Sequence, residues 1–498
     1  MFSNMTEIRS HILPLLTLLM LIGSAMSCNS KKEEETEVYS PSSSTAVTAF
    51  KLKANSEIMA RLDSVFFSID LDRGLIFNAD SLPKGTSVNA LGITVSTPSG
   101  TSAVTLTYSD EQGAETVINY LNNSTAKIDF RKPVRLSVTA QDGITTREYI
   151  VKVNVHQSDP DLFAWSETSV AALPSRMGNP RAQKSFRLDD TIFDIIEESD
   201  GSYTLAETSD LPSFSWQKRS LTLPFTPNLA SLQAGEEGIF ILSDSGELYT
   251  SANAVNWQAT GLRWESIIGP YMNGVLGIRM EGEGRVHTCW PEGMVDELPV
   301  SQNFPVSGAS GPGLIKSQWS QLPTLIIAGG KSASGEITPE VWGFDGSSWS
   351  VISANTPTEA VSGAMLIPYW TTKPSGSGWQ QTDQNIWLLV GGTLADGSPN
   401  SRIWYSPDNG VNWRDGGDNM SLPAGIPGIG TDAVVWIKRL SVSATAWQSR
   451  LNTSLEGSTI LWDCPEIYFF GGTETPGAPL SDTVWRGVLT RFTFVPLI

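Results

Sequence analysis

Apolar and polar residues alternate with a period of two between Val134 and Val155. "PVRLSVTA" puts Val134, Leu136, Val138 and Ala140 on one face, "QDGITTR" turns the chain, and "EYIVKVNV" puts Tyr149, Val151, Val153 and Val155 on one face. Strict alternation marks a half-buried strand, and the polar, glycine-containing link makes the pair a β-hairpin. Upstream, "VTAFKLKA", "SVFFSIDLDRGLIFN", "LGITVST" and "AVTLTYS" predict further short strands, separated by turns such as "LPKGT" and "STPSGT". Residues 45–158 carry no helical period.

A run of short strands over that length reads as an immunoglobulin-like β-sandwich. It holds no cluster of His, Cys or paired carboxylates, so the expected role is a spacer. All 17 tryptophans lie at or after Trp165. So sharp a shift sets a domain boundary in the polar run "HQSDPDLF", near residue 160.

Past that boundary the chain repeats itself, and repeats decide the fold. "TLIIAGG" (324–330), "IWLLVGG" (386–392) and "IYFFGG" (467–472) are apolar strands ending in a glycine pair, each followed by a loop and an aromatic strand. Copies without the glycine pair begin at Thr191, Gly238 and Gly274. Strand quartets, with glycines letting backbones approach and tryptophans filling gaps between sheets, predict a β-propeller over residues 159–498. The glycine pair and spaced aromatic resemble kelch repeats. Tryptophan units at Trp165, Trp216, Trp257, Trp290, Trp349 and Trp413 match six apolar strands, so six blades are expected, with seven as the alternative. "FAWSETSVAALP" (163–174) parallels "FSWQKRSLTLP" (214–224), but no blade precedes it. The first strand is therefore expected to complete the last blade, leaving no open edge.

The fold class is thus all-β, and the candidate chemistry is sparse. "YSPDNGVNW" spaces Ser406, Asp408, Gly410 and Trp413 like the Asp-box turn of sialidases and many unrelated propellers. A short side chain capping turn N–H groups, a glycine at positive φ and a tryptophan packed beneath make it a structural device. "YTSANAVNW" repeats the outline with Ala252 and Ala254 in place of Asp408 and Gly410. No motif gathers Arg176, Arg181, Arg187 and Arg279 as a sialidase would need. Only His156 and His287 follow the leader, too few for a multi-histidine metal site, so no metal or cofactor is expected. His287 and Cys289, two apart on a strand, read as a packed pair. Cys289 and Cys464 read as buried small apolar residues, with a disulfide as the alternative. Two long insertions link the first two strands of consecutive blades. One is a Gly/Ser/Pro-rich loop with Trp370 and Trp379, the other holds Trp447 and Arg450, and these four are the candidate ligand contacts. The expected activity is non-enzymatic binding of a glycan or a partner protein. A sialidase-like propeller glycoside hydrolase or lyase is the alternative, since carboxylate separation belongs to the fold.

Net charge is −19, which argues against nucleic acid as a partner. The apolar run Ile12 to Ile22 is too short to span a bilayer, and with "SAMS" before Cys28 it resembles a bacterial lipoprotein signal. The resemblance implies a leader over residues 1–27, lipidation of Cys28 and a membrane anchor. Residues 28–44 are polar and serine-rich, a tether. Lysine followed by acidic residues after the cysteine resembles the surface-export signal of Bacteroidetes lipoproteins, implying the outer face of the outer membrane. "DSVFFSIDLDRGLIFNADSLPKGTSVNALGITVS", "REYIVKVNVHQSDPD" and the tryptophan-rich repeats together resemble an uncharacterised family of such lipoproteins. That family is a domain of unknown function, and it implies architecture and address without site residues.

Overall fold

The structure, a computed structural model, describes residues 40–78, 81–109, 112–156, 159–236, 238–316, 320–353, 355, 359–375, 380–443 and 459–490. Regular structure there is strand, apart from two single 3₁₀ turns at Leu62–Ser64 and Leu211–Ser213. No helix among these residues is long and apolar enough to cross a membrane. The chain divides into two compact units. One joins Ile69–Ile76 and Leu91–Val151 to the segment ending at Lys53; the other joins Ala54–Ser68 and Phe77–Ala90 to Lys152 and everything after it.

In the first unit, Ala49–Leu52, Leu91–Ser96 and Lys127–Ile128 form a three-stranded sheet. A second sheet orders its strands as Ser68–Asp70, Leu75–Phe77, Thr146–Lys152, Val134–Thr139, Ala103–Ser109 and Glu115–Asn119. The hairpin expected from alternation pairs Val134 with Val151 and Leu136 with Tyr149, and all four side chains are buried. Two tyrosines add polar contacts at their ring tips. Tyr149 Oη donates to Thr45 O (3.0 Å), and Tyr120 Oη accepts from Val95 N (3.1 Å). A tyrosine buries its ring at little cost where its hydroxyl finds such partners.

The second unit contains, among the described residues, six four-stranded antiparallel sheets. Their inner strands are Ala182–Leu188, Pro227–Gly235, Ser266–Tyr271, Ser310–Ile315, Met365–Ser375 and Asp432–Ser443. Each inner strand touches the next, and the last touches the first, so the sheets form a closed cycle. The first five sheets take their strands in chain order. The sixth takes Asp432–Ser443, Thr459–Phe470 and Val484–Leu489 from the end of the chain, and Phe163–Trp165 as its outer strand. Phe163 pairs with Leu489 and Trp165 with Gly487.

The glycine pairs stand where neighbouring sheets meet. Gly391 takes φ +71°, and a Cβ there would lie 2.3 Å from Gly428 O. Only glycine fits, and the approach lets Gly392 N donate to Gly428 O at 2.7 Å. The tryptophans fill the wider gaps. Trp413 is buried with Ile326, Val341, Trp387 and Trp404 between the fourth and fifth sheets. Trp216, Trp257 and Trp413 immediately precede fourth strands, while Trp165 and Trp349 lie on them. Trp290 departs from the expected place. It ends the third strand of the third sheet, edge-on to Phe240 at 6.0 Å, and the fourth strand there is only Leu298–Pro299. A tryptophan on either strand reaches an inter-sheet gap, so spacing alone did not separate the two positions.

Candidate functional site

Hydrogen-bond register builds the first feature. In the fifth sheet, Met365–Ser375 and Gln380–Val390 pair along their whole length, but the third strand stops at Trp387 opposite Ser406. The seven residues Tyr369–Ser375, with their partners, therefore leave the sheet as a two-stranded ribbon roughly 20 Å long. In the sixth sheet Ile467 is the last residue paired with the third strand, so Trp436–Ser443 continue as a second ribbon of similar length. Both arise from the hairpin between the first two strands of adjacent sheets. Tyr369 Oη ties them, donating to Pro465 O at 2.8 Å while accepting from Leu489 N at 3.2 Å. Thr371 Oγ1 adds a bond to Thr490 O at 3.1 Å.

The ribbon corrects one expectation. Trp370 is not in a loop but on a strand, opposite Asn385, and is half-buried. Gly, Ser and Pro in "TTKPSGSG" suggested irregular chain, yet an edge position of a two-stranded ribbon tolerates Pro374. Trp379, Trp447, Arg450 and Cys28 lie outside the described residues. Sequence reasoning missed Glu466, at the root of the second ribbon. It is buried, accepts from Tyr468 Oη (2.7 Å), and has Arg486 at 3.4 Å and Lys438 at 3.8 Å. Its partners come from three strands, and nothing in the local sequence linked them.

Beside the first ribbon lies the 406–413 turn, held to it by Gln384 Nε2 donating to Pro407 O at 3.0 Å. Ser406 Oγ, wholly buried, donates to Asp408 Oδ1 (3.0 Å) and accepts from Gly410 N (2.8 Å). Asp408 Oδ1 also accepts from Asn412 N (2.8 Å), and Trp413 Nε1 donates to Gly410 O (3.0 Å). Burial alone would raise the Asp408 pKa; bonds from Asn412 and Ser406 outweigh it and hold the carboxyl below its ordinary value. In the second sheet the same turn forms with different atoms. Ala254 takes φ 57° and receives Trp257 Nε1 at 3.1 Å, while Asn253 Oδ1 accepts from Val255 N and Asn256 N. Every donor and acceptor named in both turns is spent within the protein.

Around the axis lies a cavity of about 1010 Å³, lined by the inner strands of all six sheets. Its walls are about as polar as apolar: aliphatic side chains alternate with Gln183, Asn228, Gln233 and Ser266, and Arg181, Lys184 and Arg187 also line it. Its two carboxylates are committed. Asp432 bonds Lys184 Nζ at 2.6 Å, and Glu265 accepts from Arg285 Nε and Nη2 at 2.6 and 2.8 Å.

The remaining candidates stay apart. Arg279, on the third sheet, is held by Glu297, Arg187 by Asp190 and Asp189 O, Arg181 by Glu197 and Arg176 by the Ser220 hydroxyl, so the four arginines are spent on different partners. His287 is buried, stacked on Trp349 (5.4 Å) and edge-on to Phe304 (4.5 Å), and burial pushes its pKa down to about 4. Cys289 is buried and Cys464 half-buried; both are free thiols.

The sequence matches the DUF6242 beta propeller domain over residues 159–497 and the DUF6242 N-terminal domain over 28–153. The chain belongs to the DUF6242 family. The ribbons and the axial cavity thus belong to the DUF6242 propeller. No curated protein matches the chain in sequence. Among solved structures, a mutant of the Aleuria aurantia lectin in complex with alpha-methyl-L-fucoside is 13% identical, covering 66% of this chain and 97% of its own, at a TM-score of 0.31. YCF48 from Cyanidioschyzon merolae is also 13% identical, covering 78% and 97%, at 0.28. A Bacteroides thetaiotaomicron protein of unknown function is 11% identical, covering 82% and 99%, at 0.26. Likeness at that level says nothing about this chain's ligand.

Proposed function

We propose that this DUF6242 protein is a cell-surface lipoprotein, anchored through lipidated Cys28, whose propeller is a non-enzymatic module binding a glycan or a surface protein. The ribbon pair carries this reading. Two adjacent hairpins extended well past their sheets, and braced by Tyr369, reach beyond what the ring needs to close; they form a projecting surface with Trp370 at its root. Rigid support of aromatic groups favours binding because little order remains to be imposed on contact. Commitment of Asp432 and Glu265 to Lys184 and Arg285 is why binding is preferred to glycoside hydrolysis or lysis. In this reading the six sheets are six kelch-like blades, the 406–413 turn is an Asp-box, and the N-terminal unit is an immunoglobulin-like spacer.

A glycan array probed with the mature chain, alongside cross-linking on intact cells, is the test. Specific retention that falls at least tenfold in Trp370→Ala supports the proposal. A blank array together with no cross-linked partner sinks it.

A further inference from the structure

The closure of the ring has a polar seam. Gln183, Ser185 and Asp194 of the first sheet share the face toward the sixth, Ser185 and Asp194 being register partners. Asp432 reaches in from the sixth sheet. Its Oδ2 accepts from Gln183 Nε2 (3.1 Å) and Ser185 N (2.8 Å), and its Oδ1 accepts from Lys184 Nζ (2.6 Å). Both Asp432 oxygens are therefore engaged, and Lys184 balances its charge.

Asp194 is different. It is fully buried, and neither carboxyl oxygen has a hydrogen-bond partner among the described residues. The Ser185 hydroxyl donates instead to Gln183 Oε1 at 3.1 Å. Ile192 and Ile196 flank Asp194 on its strand and pack with Val434, Tyr468 and Phe470. Other charged groups on the surrounding strands are already engaged. Arg187 holds Asp190, Glu207 holds Arg219, and Glu466 is met by Lys438, Arg486 and Tyr468. With both aspartates ionised, the seam would hold two negative charges and one positive. An unpaired buried carboxylate is too costly to keep, so something must neutralise it. A metal cation is a poor fit beside the Lys184 ammonium, with both Asp432 oxygens already taken. A proton fits.

We propose that this seam is a proton-operated latch: Asp194 in its neutral acid form lets the last sheet close on the first, and its ionisation loosens that contact. Burial, then the Asp432 charge, raise the Asp194 pKa from 3.8 to about 8; the Ser185 hydroxyl on the register-partner residue opposes this least, being bonded to Gln183. The folded chain thus holds a proton that the unfolded chain releases. Its stabilising contribution is complete below about pH 4 and is lost as pH rises through about 8.

The test compares the mature wild-type chain with Asp194→Asn across pH 5 to 10. Between about pH 5 and 7 the wild-type folding constant should fall about tenfold per pH unit relative to the variant, the signature of one linked proton. Amides of residues 183–187 and 432–435, corrected for intrinsic rate, should exchange faster above pH 9 in wild type only. Parallel profiles overturn the latch. Calcium or sodium chloride should leave the wild-type slope unchanged, and loss of the slope on adding either would assign the site to a cation instead. If Asp194→Asn does not fold, infrared spectroscopy of wild type decides. A protonated carboxyl band that vanishes between pH 7 and 9 supports the proposal, and its absence at pH 6 refutes it.

Discussion

Gly391 and Gly397 lie in one connection, between the second and third strands of the fifth sheet, and both take positive φ, +71° and +84°, yet their surroundings differ. At Gly397 an added Cβ meets nothing within 4 Å, so Gly397→Ala bears only the left-handed backbone penalty, about 1–2 kcal/mol. At Gly391 the same methyl would sit 2.3 Å from Gly428 O, 3.0 Å from its carbonyl carbon and 3.1 Å from its Cα. Backbone cannot swing aside as a side chain can. Relief requires the fifth and sixth sheets to part, at an overpacking cost of about 1–3 kcal/mol, with loss of about 1 kcal/mol from the Gly392–Gly428 bond. Gly391→Ala should therefore destabilise by about 3–6 kcal/mol, roughly 2–4 more than Gly397→Ala. Urea unfolding followed by tryptophan fluorescence isolates the propeller, because every tryptophan lies at or after Trp165. Equal costs for the two variants would refute the view that the glycine pair exists to let adjacent sheets touch.

Other expectations are separable from that one. Trp413→Ala should cost about 3–5 kcal/mol by opening a cavity between two sheets, whereas Asp408→Ala should cost about 1–2 by freeing the Asn412 N–H, both read from urea midpoints. His287, held neutral by burial, makes the fold less stable as pH falls from 6.5 towards about 4; His287→Phe should flatten that limb of a melting-temperature profile, and an unchanged limb would show that His287 titrates normally. Maleimide should label Cys464 in the native chain well before Cys289, and a non-reducing gel should show no internal cross-link. Cys28→Ser should abolish incorporation of labelled fatty acid, and protease added to intact cells should release the propeller only when Cys28 is present.

Much of the architecture was legible because it rests on local chemistry. Alternation in "PVRLSVTA" and "EYIVKVNV" dictates a hairpin, and "IWLLVGG" carries both the strand and the close contact that its glycines permit. The ribbons were half legible. The insertions around Trp370 and Trp447 were visible as extra length, but they read as loops, because residues such as Lys373 and Pro374 hid the strand pairing. Least legible was the seam, since Lys184 and Asp432 stand 248 positions apart and only closure of the ring joins them. One local sign existed. Asp194 interrupts the apolar strand "TIFDII", and a lone carboxylate in such a strand asks for an explanation that composition does not supply.

The outer strand of the sixth sheet also sets a clock. Leu162 N bonds Thr490 Oγ1 across 328 positions, so the ring stays open until nearly the whole chain exists. At ribosomal rates that interval is roughly 15 to 65 s, during which Phe163 and Trp165 wait without the strand they pair with. A ring whose outer strand must find a partner 328 residues away cannot close stepwise from its first sheet, so the final sheet carries the largest loop-closure cost of the fold.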